Sequence, residues 1–216
     1  MTASNHTTRA PDAPAIRRGR KFAQVVAGAR QVFLDHGFGG ASVDEIARVA
    51  DVSKATLYSY FPDKRMLFVE VVRSECEQQA EHALEVIDDT APPEQVLRQA
   101  ARHMLRFILS DFALRIFRIC LAEADRFPEL GQAFYESGPA LARARLSEYL
   151  QCACAEGQLQ IDDLALAADQ FAELCKADIW PRAAFGLQTR FDEAEITRVT
   201  EGAVQVFLAR YQVRPV

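Results

Sequence analysis

Between Ser42 and Lys64 the chain sets hydroxyl and cationic side chains at short spacing: Ser42, Ser53, Lys54, Thr56, Tyr58, Ser59, Tyr60 and Lys64. Their common chemistry is hydrogen-bond donation to phosphate oxygens and base edges. Nothing beside them points to catalysis. No phosphate loop, HExxH or GxSxG occurs, nor any Ser/His/Asp cue. The four histidines (His6, His36, His82, His103) are scattered without a ligand pattern, so neither metal nor cofactor is expected. Of the five cysteines no two form a CxxC pair, which argues against a disulfide framework and for a reducing cytoplasm. Cys152 and Cys154, two apart on a helix, point to different faces and read as small apolar residues.

The elements that must position these groups read as helices throughout. Phe22, Val25, Val26, Ala29, Val32 and Phe33 form one stripe of a helix from Arg17 to His36, which Gly37 ends. Ser42-x-x-Glu45 is a capping box for a short second helix. After the turn Asp51-Val52, Ser53 caps a third helix, Lys54–Tyr60. Pro62 stops it, and Asp63 caps a long fourth helix, 64–88. Further helices are expected at 93–110, 112–125, 128–155 (kinked at Gly138-Pro139), 163–185 and 192–211. The fold class is therefore all-α, with about nine helices.

Charge follows the same division. The 216-residue chain has a net charge of −5, which alone speaks against a nucleic-acid partner. Yet residues 1–64 hold nine Lys/Arg against six Asp/Glu, a balance of +3. The remainder holds 16 basic and 24 acidic residues, a balance of −8. A basic head on an acidic body suggests a division of labour. Residues 1–15, rich in Thr, Ser, Pro and Ala, read as a disordered tail without a secretory h-region. The head is 16–62 and the body 63–216. No stretch is apolar enough for a membrane span.

Two short helices around a tight turn, after a longer one, describe a helix-turn-helix. The third helix can enter a major groove while its capped N-terminus meets phosphate. Here the residues resemble a known family. Gly37-Phe38, Ser42 to Ala47, Val52 to Phe61 and Lys64 look like the DNA-binding signature of TetR-family transcriptional regulators. The resemblance implies homodimers whose three N-terminal helices bind DNA and whose other helices bind a small molecule and dimerise. It implies phosphate contacts from Ser42 and Lys64, and base or backbone contacts from Ser53, Lys54, Ala55, Thr56, Tyr58, Ser59 and Tyr60. Arg17, Arg18, Arg20 and Lys21 could follow the backbone or enter a minor groove. Asp51 departs from the family's usual Gly, and Ala55 from a frequent Gly. The segment from Phe127 to Pro139 resembles an AefR-like subgroup.

In the body, aromatic residues crowd the middle helices. An effector pocket is expected there, with Phe107, Phe117, Phe134 and Phe171 as walls and Arg118, Glu123 and Asp178 as polar contacts. The effector is taken as small and apolar or aromatic. Two stripes are expected to dimerise, Leu164, Ala167, Ala168, Phe171, Leu174 and Cys175 on one helix and Val199, Ala203, Val206, Phe207 and Tyr211 on the last. The resulting reading is a ligand-responsive repressor on a palindromic operator. The alternatives are an activator, or a small-molecule binding protein or enzyme with a vestigial DNA head.

Overall fold

The computed structural model describes residues 19–86 and 90–213. Arg17, Arg18 and the 1–15 tail lie outside the described residues. The head is three helices, α1 (Arg20–Gly40), α2 (Val43–Val49) and α3 (Lys54–Tyr60). Gly37 interrupts α1 with φ 69°, a left-handed conformation that glycine adopts without steric cost. Helix α4 (Lys64–Val86) runs from head to body. The body continues with α5 (Pro93–Ile108), α6 (Asp111–Ala122), α7 (Pro128–Tyr135), α8 (Leu141–Ala155), α9 (Leu164–Lys176), α10 (Ile179–Ala184) and α11 (Glu193–Tyr211).

Proline explains two departures from simple helices. The helix expected over 128–155 is unbroken, but Glu136–Ala140 widens into a π-turn around Pro139. Proline has no N–H and crowds the preceding turn, and a wider turn absorbs both defects. The helix expected over 163–185 is instead broken in two. Pro181 would clash with the carbonyl of Ala177, and the chain turns there through Asp178 at φ 66°.

The core does not respect the expected boundary between 62 and 63. One cluster joins Phe22, Val25, Phe33, Ile46 and Leu57 of the head to Leu67, Phe68 and Val72 of α4. It continues into Phe112, Ile116 and Cys120 of α6 and Leu130 of α7. Phe38 sits at the junction, edge-on to Phe68 at 5.5 Å and to Phe127 at 5.2 Å. A second cluster joins α5, α8, α9 and α11 through Leu97, Leu150, Phe171 and Phe207. The head thus shares a continuous apolar core with α4, α6 and α7, while α9 and α11 pack in another.

Candidate functional site

The helix-turn-helix rests on a close crossing. Gly28 of α1 lies so near Ala50 that a Cβ built on it would stand 2.8 Å from the Ala50 Cβ and backbone N. The connection from α2 to α3 turns at Asp51, whose φ is 52°. There Val52 N–H donates to Ala47 O at 3.0 Å. A non-glycine residue in this region carries a steric cost, which asparagine and aspartate bear best. Asp51→Gly should therefore raise stability by about 0.5–1 kcal/mol. A urea midpoint unchanged or lowered by that substitution would contradict the strained turn.

Ser42 and Ser53 both act as N-caps, accepting from Glu45 N and Thr56 N at 3.1 Å each. Only half of the expected capping box forms at Ser42, because the Glu45 carboxylate turns to Arg48 at 3.3 Å and His36 at 3.8 Å. On α3, Leu57 and Phe61 are buried beneath. Lys54, Ala55, Tyr58 and Ser59 face outward, with Tyr58 half exposed at 50%. The Thr56 and Ser53 hydroxyls lie 2.9 Å apart, and Ser59 donates back to Thr56 O at 2.6 Å. Lys54 reaches Asp44 of α2 at 2.6 Å, an exposed pair that screening keeps weak. Arg20 and Lys21 stand exposed on the first turn of α1.

Two residues expected to touch DNA are turned elsewhere. Tyr60 is half-buried, its ring edge-on to Phe22 at 5.7 Å. Lys64 points inward. Its Nζ donates to Phe38 O at 2.6 Å and Ala41 O at 3.0 Å, over the Phe38 ring at 4.6 Å. Burial lowers its pKa from the ordinary 10.5, partly offset by the Glu123 charge. A phosphate contact from this ammonium gives way to a clasp between α4 and the end of α1.

Of the expected effector residues, Phe117 and Phe134 meet each other, and the rest are placed apart. Phe117 packs on Trp180 at 5.2 Å and on Phe134 at 6.0 Å. Arg118 donates to Ala183 O at 2.7 Å and Ala184 O at 3.1 Å, closing the end of α10. Glu123 ends α6 and lies near Gly39 of the head. Asp178 pairs with Arg198 at 2.7 Å and Arg182 at 3.1 Å at the surface. Phe171 is core, edge-on to Phe207 at 5.1 Å. Only Phe107 lines the large cleft of about 700 Å³ between α1, α4, α5 and α6. Arg30, Gln79, His82, Arg102, His103 and Phe112 line it too, so charged and polar side chains share its walls with apolar surface. His82 and His103 meet at 5.6 Å, and His103 Nε2–H donates to Gln79 O at 3.1 Å. Burial lowers the His103 pKa below its ordinary 6.5.

Most of both dimerisation stripes also faces inward. Ala168, Phe171, Val199, Ala203 and Phe207 are buried within the subunit, and Leu164 and Leu174 pack against the same core. The α11 stripe stays open at Val206, and on α9 the open residue lies beside the expected stripe. Leu166 is 52% exposed and Val206 56%, beside an apolar groove of about 610 Å³ between α9 and α11.

Comparison with known proteins bears on this geometry. Residues 95–213 match the AefR-like transcriptional repressor C-terminal domain, and residues 25–71 match the bacterial regulatory proteins of the tetR family. The chain belongs to the TetR family of transcriptional regulators. A TetR-family regulator from Mesorhizobium loti superposes with a TM-score of 0.84 at 33% identity, covering 91% of this chain and 99% of that one. The flavonoid-responsive regulator FrrA gives 0.77 at 37% identity with the same coverage. The transcriptional activator FasR of Mycolicibacterium smegmatis is 32% identical over 96 residues, 44% of each chain. The transcriptional repressor AcnR of Corynebacterium efficiens is 31% identical over 58 residues, 27% of this chain and 31% of AcnR. The chain thus spans less than half the length of the curated relatives it matches. As a TetR-family regulator of the AefR-like subgroup, it carries its DNA-binding domain in α1–α3. No helix among the described residues is long and apolar enough to cross a membrane.

Proposed function

We propose that the protein is a cytoplasmic repressor, not an enzyme. In this reading it binds a palindromic operator as a homodimer and releases it when a small aromatic effector occupies the body. The observation that carries this is the outward face of α3. Lys54, Ala55, Tyr58 and Ser59 are presented above a buried Leu57, with both capping serines at the helix starts. Ser42, Ser53, Arg20 and Lys21 are assigned to phosphates, and Ala55, Thr56, Tyr58 and Ser59 to the groove. The shared core supports coupling. Arg115 of α6 donates to Leu34 O at 2.8 Å, and Arg30 of α1 pairs with Glu75 of α4 at 2.7 Å. A shift of α4 or α6 would therefore move α1 and, through Gly28, α2 and α3. An effector acts only through its different affinity for the two arrangements.

The dimer surface is assigned to the exposed strip of Leu166, Gln170 and Glu173 on α9 and Val206 and Arg210 on α11. Two copies of this strip around a two-fold axis would make a four-helix interface. The name of FrrA supports an aromatic effector; that of FasR supports the second reading, an activator.

Gel shifts on a selected operator test the assignment. Tyr58→Ala should weaken binding at least about tenfold without changing the thermal midpoint. Leu166→Glu should give a monomer by sedimentation and lose about a hundredfold or more in affinity, since the second head no longer binds as part of one molecule. Wild-type affinity in both variants would remove the basis for the assignment. Reporter expression that falls on deleting the gene would favour the activator.

A further inference from the structure

The cleft between head and body holds one cation unlike the others. Arg30 is neutralised by Glu75 at 2.7 Å and lies over the Phe112 ring at 4.8 Å. Arg106 is neutralised by Glu193 at 2.7 Å. Arg102 has no carboxylate partner among the described residues. Its Nη2 donates to the Thr197 hydroxyl at 3.0 Å, and its Nε is buried with no partner at all. A guanidinium has five N–H groups in a fork that matches a carboxylate. Leaving such a charge half-buried and unpaired costs free energy, which an anion arriving with a ligand would offset. Of the acids on the cleft, Glu75 is occupied by Arg30, and Asp111 sits in the first turn of α6, where the helix dipole favours it. The volume of about 700 Å³ suits a small organic molecule, and the half-buried Phe107 offers apolar surface beside the buried Phe112.

We infer that this cleft binds a small organic anion, its carboxylate on Arg102 and its aromatic body against Phe107. This rests on the effector reading and gives it a place and a charge. The site also includes Arg30 of α1, so an occupant touches the DNA-binding domain directly.

Calorimetry on the full chain with 2-naphthoate and the uncharged 2-naphthamide tests it. Naphthoate should bind at least about tenfold more tightly than the amide, the scale of one charge-assisted contact. Arg102→Met should abolish that difference and leave amide binding unchanged. The thermal midpoint of ligand-free Arg102→Met should hold or rise, because an uncompensated cation is removed. Equal affinity for both compounds, no naphthoate binding at millimolar concentration, or undiminished naphthoate binding by Arg102→Met would overturn the site. So would a fall in the ligand-free midpoint, which marks a structural cation. Operator release by other compounds without naphthoate binding would overturn this site and spare the effector reading. Naphthoate binding with no effect on operator affinity would do the reverse.

Discussion

Lys64→Met should destabilise the protein by about 2 kcal/mol and leave the salt dependence of operator binding unchanged. The ammonium satisfies two carbonyls at the end of α1, Phe38 O at 2.6 Å and Ala41 O at 3.0 Å. Methionine keeps the apolar stem over Phe38 but leaves both carbonyls without their charged donor. Bonds to charged donors contribute about 1.5–3 kcal/mol each, and partial access of water lowers the sum. A residue that contacts phosphate behaves differently. Its loss removes about one unit from the slope of log affinity against log salt and barely touches folding. The two accounts separate in one pair of measurements, thermal midpoint and salt slope. A shallower slope with an unchanged midpoint would return Lys64 to the DNA.

A second effect on stability is expected at Gly28. Its Cβ position lies 2.8 Å from the Ala50 backbone N and 2.9 Å from the Ala50 Cα. Backbone cannot move aside as a flexible side chain can. Gly28→Ala gains about 1 kcal/mol in helix propensity and loses about 1–3 kcal/mol to overpacking. The overlap is with main chain, so the loss should win. A net fall of up to about 2 kcal/mol corresponds to several degrees in midpoint. Operator binding should weaken as well, because Ala50 leads straight into the turn that aims α3. Gly28→Val adds a Cβ and two methyl groups at the same crossing and should prevent the head from folding. A Gly28→Ala protein with a raised midpoint and wild-type operator affinity would show that the crossing is looser than described.

How far these features are legible in the sequence differs between head and body. The stripe on α1 and the caps at Ser42 and Ser53 are local patterns, and local patterns survive folding. Gly28 sits beside the α1 stripe, next to Ala29, and a mid-helix glycine there is a signal of close packing. Lys64 carries no such mark. A lysine at a helix start reads as exposed, and only the bend at Gly37 brings the α1 carbonyls to it. In the body, pattern alone misassigns faces. Most of the α9 and α11 stripes are the buried faces of a single subunit, and the surface that remains is Val206 of the α11 stripe with Leu166 beside the other. Aromatic content also misdirects, since Phe171 fills a core, Phe134 packs against another, Phe117 packs on Phe134 and Trp180, and of the four only Phe107 lines the open cleft. One clue to that cleft lies in the spacing. His82 and His103 stand at nearly equal distances on either side of Pro92-Pro93. In two antiparallel helices joined by a short turn, such residues face one another.

The central claim is that the α3 surface reads a two-fold DNA sequence, and selection of bound DNA from random duplexes by the purified protein tests it most directly. The account predicts enrichment of a palindrome with half-sites about one helical turn apart, roughly 34–36 Å, lost when Tyr58→Ala protein is used. Recovery of no common sequence, or of the same sequences with Tyr58→Ala, would contradict it.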